Sequence, residues 1–163
     1  MDNQEPGIAD EPAGAARRER LPRACVADAR RSMRRFIAEA LEELGLTAFE
    51  CARVGDLDAM LASSRPDLVV VGSSAGGLEA CEIMELLAAR QFDGKVLVVG
   101  ARISPIVAAI VGLGQKLGLA MLPLLPTPFA DRDVRDRVAS LLPGAAPPVP
   151  APGACAPRRT ALP

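Results

Sequence analysis

The stretch Asp67-Leu68-Val69-Val70-Val71-Gly72 decides the fold of this chain. A continuous apolar run that ends at glycine is typical of a strand inside a parallel sheet, where helices cover both faces. A second run of this kind, Lys95-Val96-Leu97-Val98-Val99, follows after an amphipathic segment. Shorter apolar runs at 24–27, 46–50 and 119–122 alternate with further amphipathic segments. This alternation predicts five βα units around a parallel sheet.

The helical segments are read from apolar residues that recur at three- and four-residue steps. Helices are predicted at 31–44, around Leu57 to Leu61, after Gly77, after Ser104-Pro105 and at 131–142. Ser104 is expected to cap the fourth helix, with proline at its first position. This helix is almost entirely apolar from Ile106 to Leu113, so it is expected to be buried or to meet a partner.

The 163 residues suffice for one core with tails. Residues 1–22 combine Pro, Gly and mixed charges without an apolar period, and residues 144–163 are rich in Pro and Ala. Such compositions do not bury enough apolar surface to offset the entropy of ordering. We therefore expect a disordered N-terminal arm at 1–22, a folded domain at 23–143 and a disordered tail at 144–163.

Composition disfavours several classes of function. Lys and Arg total 19 against 20 Asp and Glu, a formal charge of −1, so no overall field attracts nucleic acid or an anionic membrane. The chain has no histidine, the commonest general base and metal ligand. No apolar run reaches the roughly 18 to 20 residues that span a bilayer. We expect a cytoplasmic protein without metal, cofactor, nucleic acid or membrane contact, whose four cysteines, lacking any C-x-x-C pair, are buried and reduced.

Four segments occur in a familiar order: Cys25-Val26-Ala27-Asp28, Pro66 to Val71, Lys95 to Val99 and Thr127-Pro128-Phe129. In this order they resemble the receiver domain of bacterial two-component response regulators over about residues 23 to 143. The resemblance implies an α/β, flavodoxin-like (βα)5 three-layer sandwich with parallel sheet order 2-1-3-4-5. It also implies a functional crevice at the carboxyl ends of the strands.

In that family an acidic pair after strand 1 binds Mg²⁺, and an aspartate at the end of strand 3 accepts the phosphoryl group. A hydroxyl residue ends strand 4, and a lysine precedes the proline after strand 5. Matched to this chain, Asp28 is followed by Ala29, and the acceptor, hydroxyl and lysine positions hold Gly72, Gly100 and Thr127. The resemblance therefore implies a degenerate receiver without aspartyl phosphorylation. Asp28 is its residual acid, with a role in a turn or as a helix N-cap as the simpler interpretation.

The loop Gly72-Ser73-Ser74-Ala75-Gly76-Gly77 also resembles the nucleophile loop of the chemotaxis receptor methylesterases, with Ser74 as the serine. That family uses a histidine base, which this chain lacks, so hydrolase activity is disfavoured and no enzyme is expected. Two interpretations of the loop stay open. It forms a tight turn and helix cap, or it binds an anion or a nucleotide phosphate through Gly72, Ser73, Ser74, Gly76 and Gly77.

The predicted function is a regulatory, protein-binding module in two-component or cyclic-di-GMP signalling. In the receiver family the face of helix 4, strand 5 and helix 5 commonly carries dimer or effector contacts. Here the expected face comprises Ile106, Ile110, Leu113, Leu124 and Leu125, and its partner is another protein or a second copy of the chain. A merely buried fourth helix is the alternative. The stretch from Gly72 to Phe129 also resembles receiver-like domains that precede EAL cyclic-di-GMP phosphodiesterase domains.

Overall fold

One parallel sheet organises the computed structural model, which describes residues 20–73 and 78–142. Within these residues its strands are β1 (Arg23–Ala27), β2 (Thr47–Cys51), β3 (Leu68–Gly72), β4 (Lys95–Gly100), β5 (Ala120–Met121) and β6 (Leu125–Pro126). The order is β2-β1-β3-β4-β5, with β6 also paired to β4. This confirms the predicted flavodoxin-like topology. The predicted strand at 119–122 is shorter, and β6 continues the same edge of the sheet after a break.

Helices cover both faces of the sheet. They are α1 (Arg31–Glu43), α2 (Val54–Ser63), α3 (Leu78–Ala89), α4 (Pro105–Lys116) and α5 (Asp131–Val138), and a 3-10 turn at Ala139–Leu141 follows α5. The Ser104 hydroxyl caps α4 by accepting a hydrogen bond from the Val107 amide at 3.4 Å, as predicted. The last helix was expected to reach residue 142, but its final turn tightens into the 3-10 form, as helix ends often do.

The central strands β3 and β4 are buried on both faces, which explains their continuous apolar sequence. Side chains of Val69 and Val96 lie in one core cluster with residues of α3 and α4. Their neighbours Val70 and Leu97 lie in the other cluster with residues of α1 and α5. Successive side chains of a strand point to opposite faces, so a strand buried on both faces has no polar position.

Most of the predicted arm at 1–22 and all of the predicted tail at 144–163 lie outside the described residues. Arg20, at the start of the described region, forms an ion pair with Asp67 at 3.4 Å. Among the helices that the structure describes, none combines the length and apolar character needed to cross a membrane. Of the four cysteines expected to be buried, Cys25 and Cys51 are buried, Cys81 is partly buried, and Cys155 lies outside the described residues.

Candidate functional site at the carboxyl edge of the sheet

Asp28 follows β1 at the carboxyl edge of the sheet and is 5% exposed. Its Oδ1 accepts a hydrogen bond from the Arg30 amide at 2.7 Å and lies 3.6 Å from the Arg30 Nε. Arg34 donates to the Asp28 carbonyl oxygen at 2.8 Å. An aspartate that accepts from the amide two residues later forms an Asx turn. The turn interpretation of Asp28 is confirmed, whereas the N-cap interpretation is wrong because Arg30 is the N-cap of α1.

Gly72, which the resemblance to receivers matches to the phosphate acceptor, ends β3 directly beside Asp28. A Cβ built on Gly72 would fall on the Asp28 carboxylate, with Oδ2 as its nearest atom, Cγ at 2.5 Å and Cβ at 2.9 Å. Real Cβ atoms essentially never approach other heavy atoms this closely. The Asp28 side chain therefore occupies the space in which the first carbon of an acceptor side chain would lie.

Gly100, which the resemblance to receivers matches to the hydroxyl residue, is also packed so closely that a Cβ would overlap neighbouring side chains. A Cβ on Gly100 would meet the Ser73 Oγ, the Ser73 Cβ at 3.1 Å and the Val107 Cγ2 at 2.6 Å. Ser73 follows β3 and is fixed by a hydrogen bond of 3.0 Å from its amide to the Val99 carbonyl oxygen. The Ser73 side chain, directly after β3, thus occupies the space in which a side chain at Gly100 of β4 would lie.

A cavity of about 10 Å³ lies between Asp28, Gly72, the end of β2 and the start of α3. Asp28, Cys51, Arg53, Gly72 and Glu79 are among its lining residues. This volume is about that of a single water site, too small for a phosphoryl group or a nucleotide. Within residues 20–73 and 78–142 no three acidic, cysteine or histidine side chains are grouped as metal ligands.

Thr127, at the position of the family's lysine, lies at the same edge and donates its amide to the Gly100 carbonyl oxygen at 3.1 Å. The bond between Thr127 and Pro128 is cis, which settles a point that the sequence leaves open. The side chain of Thr127 brings no charge to the edge. Lys95 begins β4 at the opposite edge of the sheet, and Lys116 ends α4, so neither lysine takes the missing role.

Comparison of the whole molecule with known proteins identifies its fold. No family model matches the sequence, and no curated protein matches it. The chemotaxis response regulator CheY4 of Vibrio cholerae superimposes with a TM-score of 0.62 at 15% identity, over 76% of this chain and 100% of that one. The chain has the receiver fold. Two further structures are similar. The Francisella response regulator 1452 receiver domain superimposes with a TM-score of 0.59 at 21% identity, over 74% of this chain and 95% of that one. A response regulator from Colwellia psychrerythraea superimposes with a TM-score of 0.62 at 16% identity, over 75% of this chain and 97% of that one.

The expected interaction face of the receiver fold is corrected in part. Ile110 and Leu125 are fully buried, so neither is available to a partner. Ile110 belongs to the side of α4 that packs on the sheet, and Leu125 lies on β6 beneath α5. Leu113 and Leu124 are partly buried, and Ile106 is 48% exposed. The periodicity of α4 is too uniformly apolar to show which side faces solvent.

Two exposed apolar features were not predicted. Ile103, between β4 and α4, is 96% exposed, and Ile106 lies one turn further along the chain. A groove of about 550 Å³ between α1 and the segment after β6 is lined by Met33, Phe36 and Phe129, among others. The rings of Phe36 and Phe129 lie 5.8 Å apart. Ile103 had a signal in the sequence, because it stands outside the predicted helix and strand, but the groove depends on a contact between distant segments.

The serine and glycine loop is described only at its start. Gly72 and Ser73 belong to the described residues, and both are packed as set out above. Ser74, Gly76 and Gly77 lie outside them, so the anion-binding and hydrolase interpretations of the loop remain predictions.

Proposed function

We propose that this chain is a regulatory protein-binding module that uses the receiver fold without aspartyl phosphorylation. The observation that supports the proposal is the contact between β1 and β3. At the position of the acceptor there is no side chain, and the carboxylate of Asp28 takes up the space that such a side chain would need.

The chemistry of phosphoryl transfer supports the same proposal. Transfer needs a nucleophilic carboxylate in an open site, together with a metal ion and a cation that offset the charge on the phosphoryl group. Here the carboxylate is engaged by the Arg30 amide, and the adjoining cavity holds about one water. Thr127 replaces the lysine with an uncharged side chain.

Incubation of the full chain with acetyl phosphate and Mg²⁺ is expected to leave its mass unchanged, because Gly72 supplies no acceptor carboxylate and the Asp28 carboxylate is engaged by the Arg30 amide. Intact-mass spectrometry after brief incubation measures this. A receiver domain with a complete set of acidic residues, treated in parallel, controls for the activity of the phosphodonor. A stoichiometric gain of one phosphoryl group that disappears in Asp28→Asn would contradict the proposal.

For the binding surface we propose the exposed part of α4 and the connection that precedes it. Ile103 and Ile106, three residues apart in the chain, are exposed here, and Leu113 and Leu124 are partly buried. Large apolar side chains that form an exposed patch mark surfaces for protein contact. The proposed partner is a second copy or another protein of a two-component or cyclic-di-GMP pathway, as the resemblance to receivers and to EAL-associated receiver-like domains suggests.

The double variant Ile103→Glu/Ile106→Glu is expected to weaken self-association, or capture of the native partner, by about tenfold or more, because charges replace the centre of an apolar contact. Sedimentation velocity over a concentration series measures self-association. Quantitative pull-down from native extract measures capture of the partner. Phe49→Glu, an exposed apolar residue on the edge strand β2, is the matched control. A monomeric wild type whose captured proteins do not change in the double variant would exclude this surface.

A further inference from the structure

Two cysteines from neighbouring strands meet in the core. Cys25 lies on β1 and Cys51 ends β2, and their sulfur atoms are 3.0 Å apart. In the parallel register Cys51 pairs with Ala27, two residues beyond Cys25. Positions two residues apart along a strand point to the same face, so both thiols project into the cluster beneath α2 and α3.

The two thiols differ in their access to small molecules. Cys25 has no exposed surface, whereas Cys51 lines the water-sized cavity beside Asp28 and Gly72. Cys51 is therefore the first of the two cysteines that a small oxidant such as hydrogen peroxide meets. The cavity of about 10 Å³ holds about one water, so it has to widen slightly to admit the oxidant.

The electrostatic environment of the two thiols also favours Cys51 as the first to react. The hydrogen bond between the two thiols lowers the pKa of Cys51, against the effects of burial and of Asp56, and Arg34 adds to the lowering. The same hydrogen bond and burial raise the pKa of Cys25. The thiolate is the reactive form of cysteine, so Cys51 attacks the oxidant first. Cys25 then reacts with the oxidised Cys51 sulfur.

We infer that Cys25 and Cys51 form a peroxide-sensitive dithiol, which closes to an intramolecular disulfide between β1 and β2. The Cys51 thiolate attacks one oxygen of hydrogen peroxide, the O–O bond breaks, and Cys51 sulfenic acid and hydroxide result. The hydroxide takes up the proton of Cys25. The Cys25 sulfur then attacks the Cys51 sulfur, the S–O bond breaks, and the oxygen leaves as water with a proton from solvent. Two thiols and one peroxide thus give one disulfide and two waters.

Closure of the disulfide needs a movement of both side chain and backbone. A disulfide bond is about 2.05 Å long, so the two sulfurs have to approach by about 1 Å. The offset of two residues between neighbouring strands places the two Cα atoms roughly 8 Å apart, and disulfides usually join Cα atoms about 4.4–6.8 Å apart, so the end of β2 also has to move toward Cys25. Cys51 is the last residue of β2 and leads through Ala52 and Arg53 into α2. Oxidation therefore fixes the start of α2 to β1 directly beside the lost phosphorylation site. The inference does not depend on the proposed binding function, because it concerns the isolated chain.

To test the inference, the folded full chain is treated with hydrogen peroxide and then unfolded. The remaining thiols are alkylated, and disulfide-linked peptides are identified by mass spectrometry. We expect the number of alkylated cysteines to fall from four to two, with Cys25 linked to Cys51. Treatment with dithiothreitol is expected to restore four. Oxidation of the chain in denaturant provides the reference, because pairing there is not selected by the fold.

Variants separate the two roles. Cys25→Ala is expected to leave Cys51 as a sulfenic acid that dimedone captures, whereas Cys81→Ala is expected to form the disulfide as the wild type does. Four alkylated cysteines after peroxide treatment of the wild type, or a bond that involves Cys81 or Cys155, would overturn the inference. If Cys25→Ala does not fold, the peptide map of the wild type alone decides.

Discussion

Gly72→Ala is expected to lower the free energy of unfolding by about 1–3 kcal/mol, as other substitutions that overfill a packed core do. The added methyl group would lie on the Asp28 carboxylate, 2.5 Å from Cγ and 2.9 Å from Cβ. Rotation of the carboxylate cannot relieve the contact with Cβ, and Oδ1 is tied to the Arg30 amide. Urea denaturation followed by circular dichroism measures the change.

Gly112→Ala is the matched control for this experiment. Gly112 lies inside α4, and a Cβ there meets nothing within 4 Å. Replacing glycine by alanine in a helix interior stabilises by roughly 0.5–1 kcal/mol, so the two substitutions are expected to act in opposite directions.

A double-mutant cycle assigns the effect to Asp28. Asp28→Gly removes the Asx turn and is itself expected to destabilise, but it vacates the space beside Gly72. We expect Gly72→Ala to cost about 1–2 kcal/mol less in that background. Additive effects of the two substitutions would show that the destabilisation has another origin. By the same reasoning, Gly72→Asp alone is expected not to produce a receiver that accepts a phosphoryl group.

Gly100→Ala is expected to lower the free energy of unfolding by about 1–3 kcal/mol as well. Its methyl group would meet the Ser73 hydroxyl and lie 2.6 Å from the Val107 Cγ2. Val107 is buried and β-branched, and such side chains have few alternative rotamers. Urea denaturation again provides the measurement.

The combination Gly100→Ala/Val107→Ala tests this contact. Val107→Ala alone leaves a gap and is expected to destabilise, but the gap accepts the new methyl group, so the double variant is expected to be more stable than the sum of the single effects indicates. A Gly100→Ala variant as stable as Gly112→Ala would contradict the packing that the structure shows around Ser73.

The sequence predicts the sheet well because β3 and β4 are continuous apolar runs, and a strand buried on both faces leaves an unambiguous pattern. It predicts the edge less well. The segment at 119–122 pairs with β4 over only two residues, and Leu125–Pro126 pairs separately, because Pro123, between the two, lacks the amide that a regular ladder needs.

The candidate site, like the sheet, is predicted only in part by the sequence. The resemblance to receivers predicts which side chains differ at Gly72, Gly100 and Thr127, since each residue can be read at its own position. The sequence does not show that Asp28 and Ser73 pack against the two glycines, because those contacts join separate strands. The proximity of Cys25 and Cys51 is hidden for the same reason, as it depends on the register between β1 and β2.

The tight fit of Asp28 against Gly72 and of Ser73 against Gly100 also bears on how this chain tolerates mutation. A side chain introduced at either glycine first produces a less stable protein, and only a second substitution, at the neighbour that fills the space, relieves the contact. A carboxylate or a hydroxyl group is therefore reached at these two positions by paired changes and not by single ones.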